Sequence, residues 1–259
     1  MKTLFAGPWV GELGWELFCW QGVLRHAVQS GEYNNVIISG RGINKFLYED
    51  FCTEYIPYAP NDYQPDSFGN RAPLSDYPKP KEDCTYVGPN TCLTHYTPPG
   101  IWRPNVGQSF IKYGNTIDTD IDILIHARCT NKVGTGYRDW SIHNFETIVK
   151  QFSQYTFACI GLHHAASHIN GTKDLRGIEL STLADYMAST KLILGPSSGP
   201  MHLASLCGLN HIAWGVENNT SRYNVDWNPH NTPVEYIVSE NWNPNINTVI
   251  SKMENLCQI

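Results

Sequence analysis

Short apolar runs alternate with amphipathic stretches along this chain, and the alternation predicts strands and helices in turn. Thr3 to Ala6 reads as a first buried strand, followed by the glycine-containing loop Pro8 to Gly14. From about Trp15 to Gln29, the residues Leu17, Trp20, Val23, Leu24 and Ala27 recur at helical spacing, and Gly31 ends the helix. Asn35 to Ser39 reads as a second strand and Gly42 to Phe51 as a further helix. Strand, helix, strand is the opening of a parallel sheet. Residues 57–83 are rich in Pro, Asp, Asn and Tyr without a period, which predicts a long loop. Cys84 to Tyr113 holds many turn residues and short strands such as Ser109 to Lys112.

A second series starts after the polar stretch Gly114 to Asp120, which predicts a boundary between domains 1–115 and 116–259. Ile121 to Ile125, Thr156 to Ile160, Leu192 to Leu194 and His211 to Trp214 read as short buried strands. Between them Ser141 to Gln154, Leu180 to Ser189 and Met201 to Cys207 read as helices, and Ile246 to Cys257 reads as a last helix able to pack back on the first domain. Four strands alternating with helices is the pattern of a doubly wound sheet. The fold class is α/β with two Rossmann-like domains.

Composition narrows the function classes. The length of 259 residues suits one large domain or two small ones, and no apolar run approaches a membrane span. The segment Met1 to Gly7 turns too early for a signal peptide. A formal net charge of −6 argues against sequence-independent binding of duplex nucleic acid. Eight cysteines are scattered without a Cys-x-x-Cys pair, several in apolar surroundings, which predicts free buried thiols in a reducing compartment.

The most informative stretch is Leu194-Gly195-Pro196-Ser197-Ser198-Gly199-Pro200-Met201-His202-Leu203-Ala204. A strand, a small-residue turn and a helix start make an anion site. The first helical N–H groups lack intrahelical partners, the dipole favours negative charge, and glycine and hydroxyls let a phosphate come close. Read alone, the same turn is also an ordinary strand-to-helix connection.

Asp174-Leu175-Arg176-Gly177, then Leu180 to Ala188, then Gly195 to Ala204 and Gly208, resembles the C-terminal domain of heptosyltransferase-type glycosyltransferases (glycosyltransferase family 9). The family turn reads Asp-Ser-Gly-Pro-Met-His-Leu-Ala. Here Ser197 stands at its acidic position and Pro196 at a polar one, so the donor or its contacts differ. The resemblance implies the GT-B architecture, two Rossmann-like domains facing across a cleft, with the donor diphosphate on Ser197, Ser198, Gly199 and His202.

Other candidates follow the same fold logic. Arg128, in Ile125 to Lys132, lies just past a parallel strand, where such sheets bind ligands, and suits a bidentate diphosphate pair. Arg138 occupies the place of the basic residue that holds the donor phosphate in the family. Gly161 ends a strand beside the expected nucleotide base, and Arg222 is placed to close the site. The loop Gly11-Glu12-Leu13-Gly14-Trp15-Glu16 is similar to the family's first loop, whose acidic or histidine residue takes the acceptor proton. Glu12 and Glu16 both qualify. The loop spacing of the lipid II N-acetylglucosaminyltransferases places Glu16 at the catalytic position, and heptosyltransferase spacing puts Trp15 there, next to Glu16.

No metal is expected. The histidines at 163, 164 and 168 lack carboxylates at ligand spacing, and Asp118-Thr119-Asp120 precedes a strand instead of ending one. The expected activity is transfer of a sugar from a nucleotide-sugar to an acceptor hydroxyl, inverting and metal-independent, with no cofactor beyond that co-substrate. A nucleotide-sugar epimerase or hydrolase on the same scaffold, or a non-catalytic sugar-phosphate binding module, are the alternatives. The expected acceptor is a glycan, with a modified nucleic-acid base or a protein as other options. The expected place is the cytoplasm, or the membrane periphery if the acceptor is a glycolipid.

Overall fold

Where the apolar runs are continuous, the chain forms parallel strands. In the computed structural model, which describes residues 2–58, 78–81, 83–88, 106–130 and 136–256, the described strands form two sheets. The chain divides into two compact units, Met1–Ile111 and Lys112–Ile259.

In the first unit, strands β1 (Thr3–Trp9), β2 (Asn35–Gly40), β3 (Glu54–Pro57) and β4 (Cys84–Val87) form a sheet of order β3-β2-β1-β4. All of its pairings are parallel. The helical run after β1 starts earlier than its apolar period suggests. Helix α1 (Leu13–Trp15) passes into a π-turn over Glu16–Trp20 and then helix α2 (Gln21–Gln29). All five residues of the π-turn are buried, and Trp20 stacks on Trp9 with ring centres 5.4 Å apart. Carbonyls of this run also accept bonds from outside the helical ladder. Gln21 Nε2 donates to the Leu17 carbonyl at 2.9 Å, Gln108 Nε2 to that of Phe18, and the Ser109 N–H to that of Gly22 at 2.9 Å.

Those last bonds correct one expectation. Ser109 to Lys112 is not a strand: Gln108, Ser109 and Phe110 lie against the helix, with the Phe110 ring at Gly22, where an added Cβ would come within 2.7 Å. Gly42 to Phe51 is a 3-10 helix only over Gly42–Leu47. Most of the loop expected at 57–83 lies outside the described residues.

The second unit holds β5 (Ile123–Ile125), β6 (Phe157–Cys159), β7 (Lys173–Asp174), β8 (Leu192–Pro196), β9 (His211–Gly215) and β10 (Val234–Val238), in the order β10-β9-β8-β5-β6-β7. Read from β7, the spatial order follows the chain as 3-2-1-4-5-6, the doubly wound arrangement, with its switch point between β5 and β8. The helices are α3 (Ile142–Gln151), α4 (Leu180–Ser189), α5 (Gly199–Cys207) and α6 (Ile246–Leu256).

Successive strand residues point to opposite faces. Ile123 and Ile125, Leu192 and Leu194, and Ile212 and Trp214 therefore share one face, packed with Phe145 and Ile148 of α3 and Val249 and Met253 of α6. The last helix thus builds the core of its own unit. Helix α5 packs against α4, β8 and β9. The six cysteines among the described residues are free thiols, three of them buried. Among the described residues no helix is long and apolar enough to cross a membrane.

Candidate active site

The switch point of the second sheet collects the polar residues that the sequence singles out. β8 ends at Pro196, and Ser197 and Ser198 turn the chain into α5, with Ser198 at the N-cap and Pro200 in the first turn. Three groups from other elements fix this turn. The Ser197 N–H donates to the Trp214 carbonyl at 2.8 Å, Arg138 Nη2 donates to the Ser197 carbonyl, and Ser198 Oγ lies 2.8 Å from His126 Nδ1. Gly195 is required here for space. A Cβ on it would come within 2.8 Å of the His126 carbonyl oxygen.

The candidates differ in how they stand. Arg138 stacks over the Trp242 ring at 4.0 Å, which orients its guanidinium at the turn. Arg128 is paired with Asp139, whose other oxygen accepts the Thr130 N–H at 2.9 Å. Asp139 thus holds the Arg128 guanidinium and the Thr130 N–H together. Gly161 adopts φ +112° beside the His126 ring, a conformation that disfavours any side chain. His202 is buried, stacked on Tyr223 at 4.7 Å and edge-on to Trp227 at 4.7 Å. Arg222 lies over Trp227 at 4.6 Å.

Burial holds both His126 and His202 neutral. Desolvation, then Arg128 and Arg138, pushes His126 down to about 4, and desolvation followed by Arg222 holds His202 well below the usual imidazole range. The sequence pattern does not mark His126, Tyr223, Trp227 or Trp242 as site residues. For His126 a signal existed, since it is the first residue past an apolar strand. The aromatic residues carry no local signal, because their role arises from distant segments meeting.

In the first unit the two candidate bases separate by exposure. Glu12 is exposed at the N-cap of α1, and its side chain makes no capping bond. Glu16 is fully buried in the π-turn. Its Oε1 accepts the Tyr48 hydroxyl at 2.6 Å and its Oε2 accepts Asn44 Nδ2 at 2.5 Å. Desolvation raises its carboxyl to about 7, outweighing the hydrogen bond from Tyr48, the charge of Arg41 and the bond from Asn44. Among the described residues no group of three or more His, Cys, Asp or Glu is placed to hold a metal.

The fold is shared with known structures. The chain matches ADP-heptose LPS heptosyltransferase II of E. coli with a TM-score of 0.63 and 14% identity, covering 100% of this chain and 99% of that one. The fold is GT-B. E. coli heptosyltransferase WaaC with ADP matches at 0.62 and 12% identity over 99% of this chain and 100% of the other. The glycosyl transferase family 9 structure from Veillonella parvula DSM 2008 matches at 0.60 and 12% identity over 99% and 97%. No protein-family model matches the sequence, and no curated protein does.

Proposed function

We propose that this chain is a glycosyltransferase that moves a sugar from a nucleoside diphosphate sugar to an acceptor hydroxyl. The observation that carries the reading is the turn at the β5–β8 switch point. There Ser197, Ser198 and Gly199 open α5 beside Arg138 and His126, inside the GT-B fold. A helix N-terminus with a guanidinium alongside suits the two phosphates of a leaving group. The ADP named for the WaaC structure supports the same ligand class.

In the reaction, the acceptor oxygen attacks the anomeric carbon while the bond from that carbon to the phosphate oxygen breaks. Its electron pair leaves with the nucleoside diphosphate. A single displacement of this kind inverts the anomeric centre. The α5 N-terminus and Arg138 stabilise the charge that develops on the diphosphate, so the step needs no metal. The acceptor proton goes to Glu12, an exposed carboxylate at the start of the helical run after β1. Glu16 fits the role less well, because no solvent reaches it and both oxygens are already bonded. A glycan is the acceptor class favoured by the family resemblance.

Incubation with a panel of UDP-, GDP- and ADP-sugars tests the reading. Release of free nucleoside diphosphate with transfer or slow hydrolysis of the sugar is the expected result. Binding without any release would make the chain a binding module, and release of an epimerised nucleotide-sugar would make it an epimerase.

A further inference from the structure

His126 sits at the carboxyl end of β5, between the ends of β6 and β8, and is 5% exposed. Its neighbours are shaped around it. A Cβ at Gly161 would lie 3.0 Å from the ring's Cδ2, and one at Gly195 would press on its carbonyl oxygen. Its Nδ1 lies 2.8 Å from Ser198 Oγ.

Ser198 is the N-cap of α5, with extended backbone at φ −165° and ψ 171°, yet its hydroxyl makes no capping bond. A serine at this position ordinarily accepts from the N–H two or three residues on. Pro200 has no N–H to offer, so Met201 carries the donor such a cap would take. With the hydroxyl turned to His126, the Gly199 and Met201 N–H groups, which have no partner within a helix, are not covered by the cap.

We propose that His126 is a positioning residue for the donor diphosphate: it holds the Ser198 hydroxyl off the end of α5, leaving the first amides open to a phosphate, and aims the Ser198 O–H at that phosphate. The inference rests on the nucleoside diphosphate reading above. The proton inventory fixes the tautomer. Ser198 has one hydroxyl proton, and to donate it to a phosphate its oxygen must accept from His126 Nδ1–H. His126 is therefore a neutral imidazole with its proton on Nδ1 and Nε2 bare. Burial and the nearby Arg128 and Arg138 keep the ring neutral across the physiological range.

Calorimetric titration of the full chain with UDP, ADP and GDP, followed by a double-mutant cycle on the tightest, tests this. His126→Leu is expected to weaken binding about tenfold, because the freed serine then caps its own helix and competes with the phosphate. His126→Asn, whose amide nitrogen overlays Nδ1, is expected to stay within about threefold of the native chain. Ser198→Ala alone should cost about threefold, and His126→Leu added to it should cost no more than about twofold further, since there is no serine left to misplace. A double variant as weak as the product of the two single losses would overturn the proposal, showing that His126 acts on the fold and not through Ser198. A ¹⁵N spectrum showing the proton on Nε2 would overturn it as well. If none of the three nucleotides binds the native chain, the nucleoside diphosphate reading fails and this proposal with it. If one binds and the cycle is additive, only this proposal fails.

Discussion

Glu16 carries a conflict that is legible only in three dimensions. Two donors, Tyr48 and Asn44, point at its carboxylate and favour ionisation, while complete burial opposes it and prevails, raising the carboxyl to about 7. The native chain therefore holds a proton that the unfolded chain releases above its ordinary value of 4.5. Stability from this group is fully present below about pH 4.5, is lost as pH rises toward 7, and stays lost above it. The size is on the order of 3 kcal/mol. His126 and His211, both lowered to about 4, act oppositely, and their contribution is lost as pH falls from 6.5 toward 4. The comparison that isolates Glu16 is thus native chain against Glu16→Gln, by urea unfolding from pH 4.5 to 8. The native chain is expected to lose ground relative to the variant as pH rises; parallel curves would contradict the assignment.

The sequence named Glu12 and Glu16 together because both follow a glycine loop at a helix start. It could not separate them, since a one-turn offset decides which carboxylate meets solvent. Ser197, Ser198, Gly199 and Arg138 were legible because glycine, hydroxyls and a basic residue past strand ends are a local pattern. His202 was named on the same pattern, yet its ring is packed between Tyr223 and Trp227.

At the scale of elements, the apolar period located α2, α3, α4, α5 and the central strands to within a few residues. It missed β10, because Val234–Val238 is only half-buried and interrupted by Glu235, and β7, because two residues carry no period. The π-turn was invisible for a different reason. Residues 16–20 are apolar enough for a helix of either kind, and the hydrogen bond that Gln108 donates to the Phe18 carbonyl comes from far along the chain.

The β8–α5 junction yields a prediction of its own. At Gly195 a methyl group meets a backbone carbonyl, which cannot step aside as a flexible side chain would. Gly195→Ala is expected to cost about 1–3 kcal/mol in thermal or urea unfolding and to weaken nucleoside diphosphate binding by misplacing the turn. Unchanged stability and affinity would show that the β5–β8 junction is looser than its geometry implies.

On the scale of the molecule, the fold and the proposed activity stand on different ground. Two parallel sheets, one with order 3-2-1-4-5-6, and full-length matches at 12–14% identity establish the architecture. Folds of this kind host many chemistries, so the activity rests on the residues at the strand ends. In the second unit Ser197 to Gly199 turn beside Arg138 and His126, and in the first Glu12 is exposed at the start of the helical run.

The proposed reaction has Glu12 take the acceptor proton. The most direct test is nucleoside diphosphate release from the accepted nucleotide-sugar by Glu12→Gln, with nucleotide affinity measured on the same preparation. Release is expected to fall about 10²–10⁴-fold with affinity unchanged, while Glu16→Gln keeps most of the activity. Full release by Glu12→Gln, or a loss confined to Glu16→Gln, would contradict it.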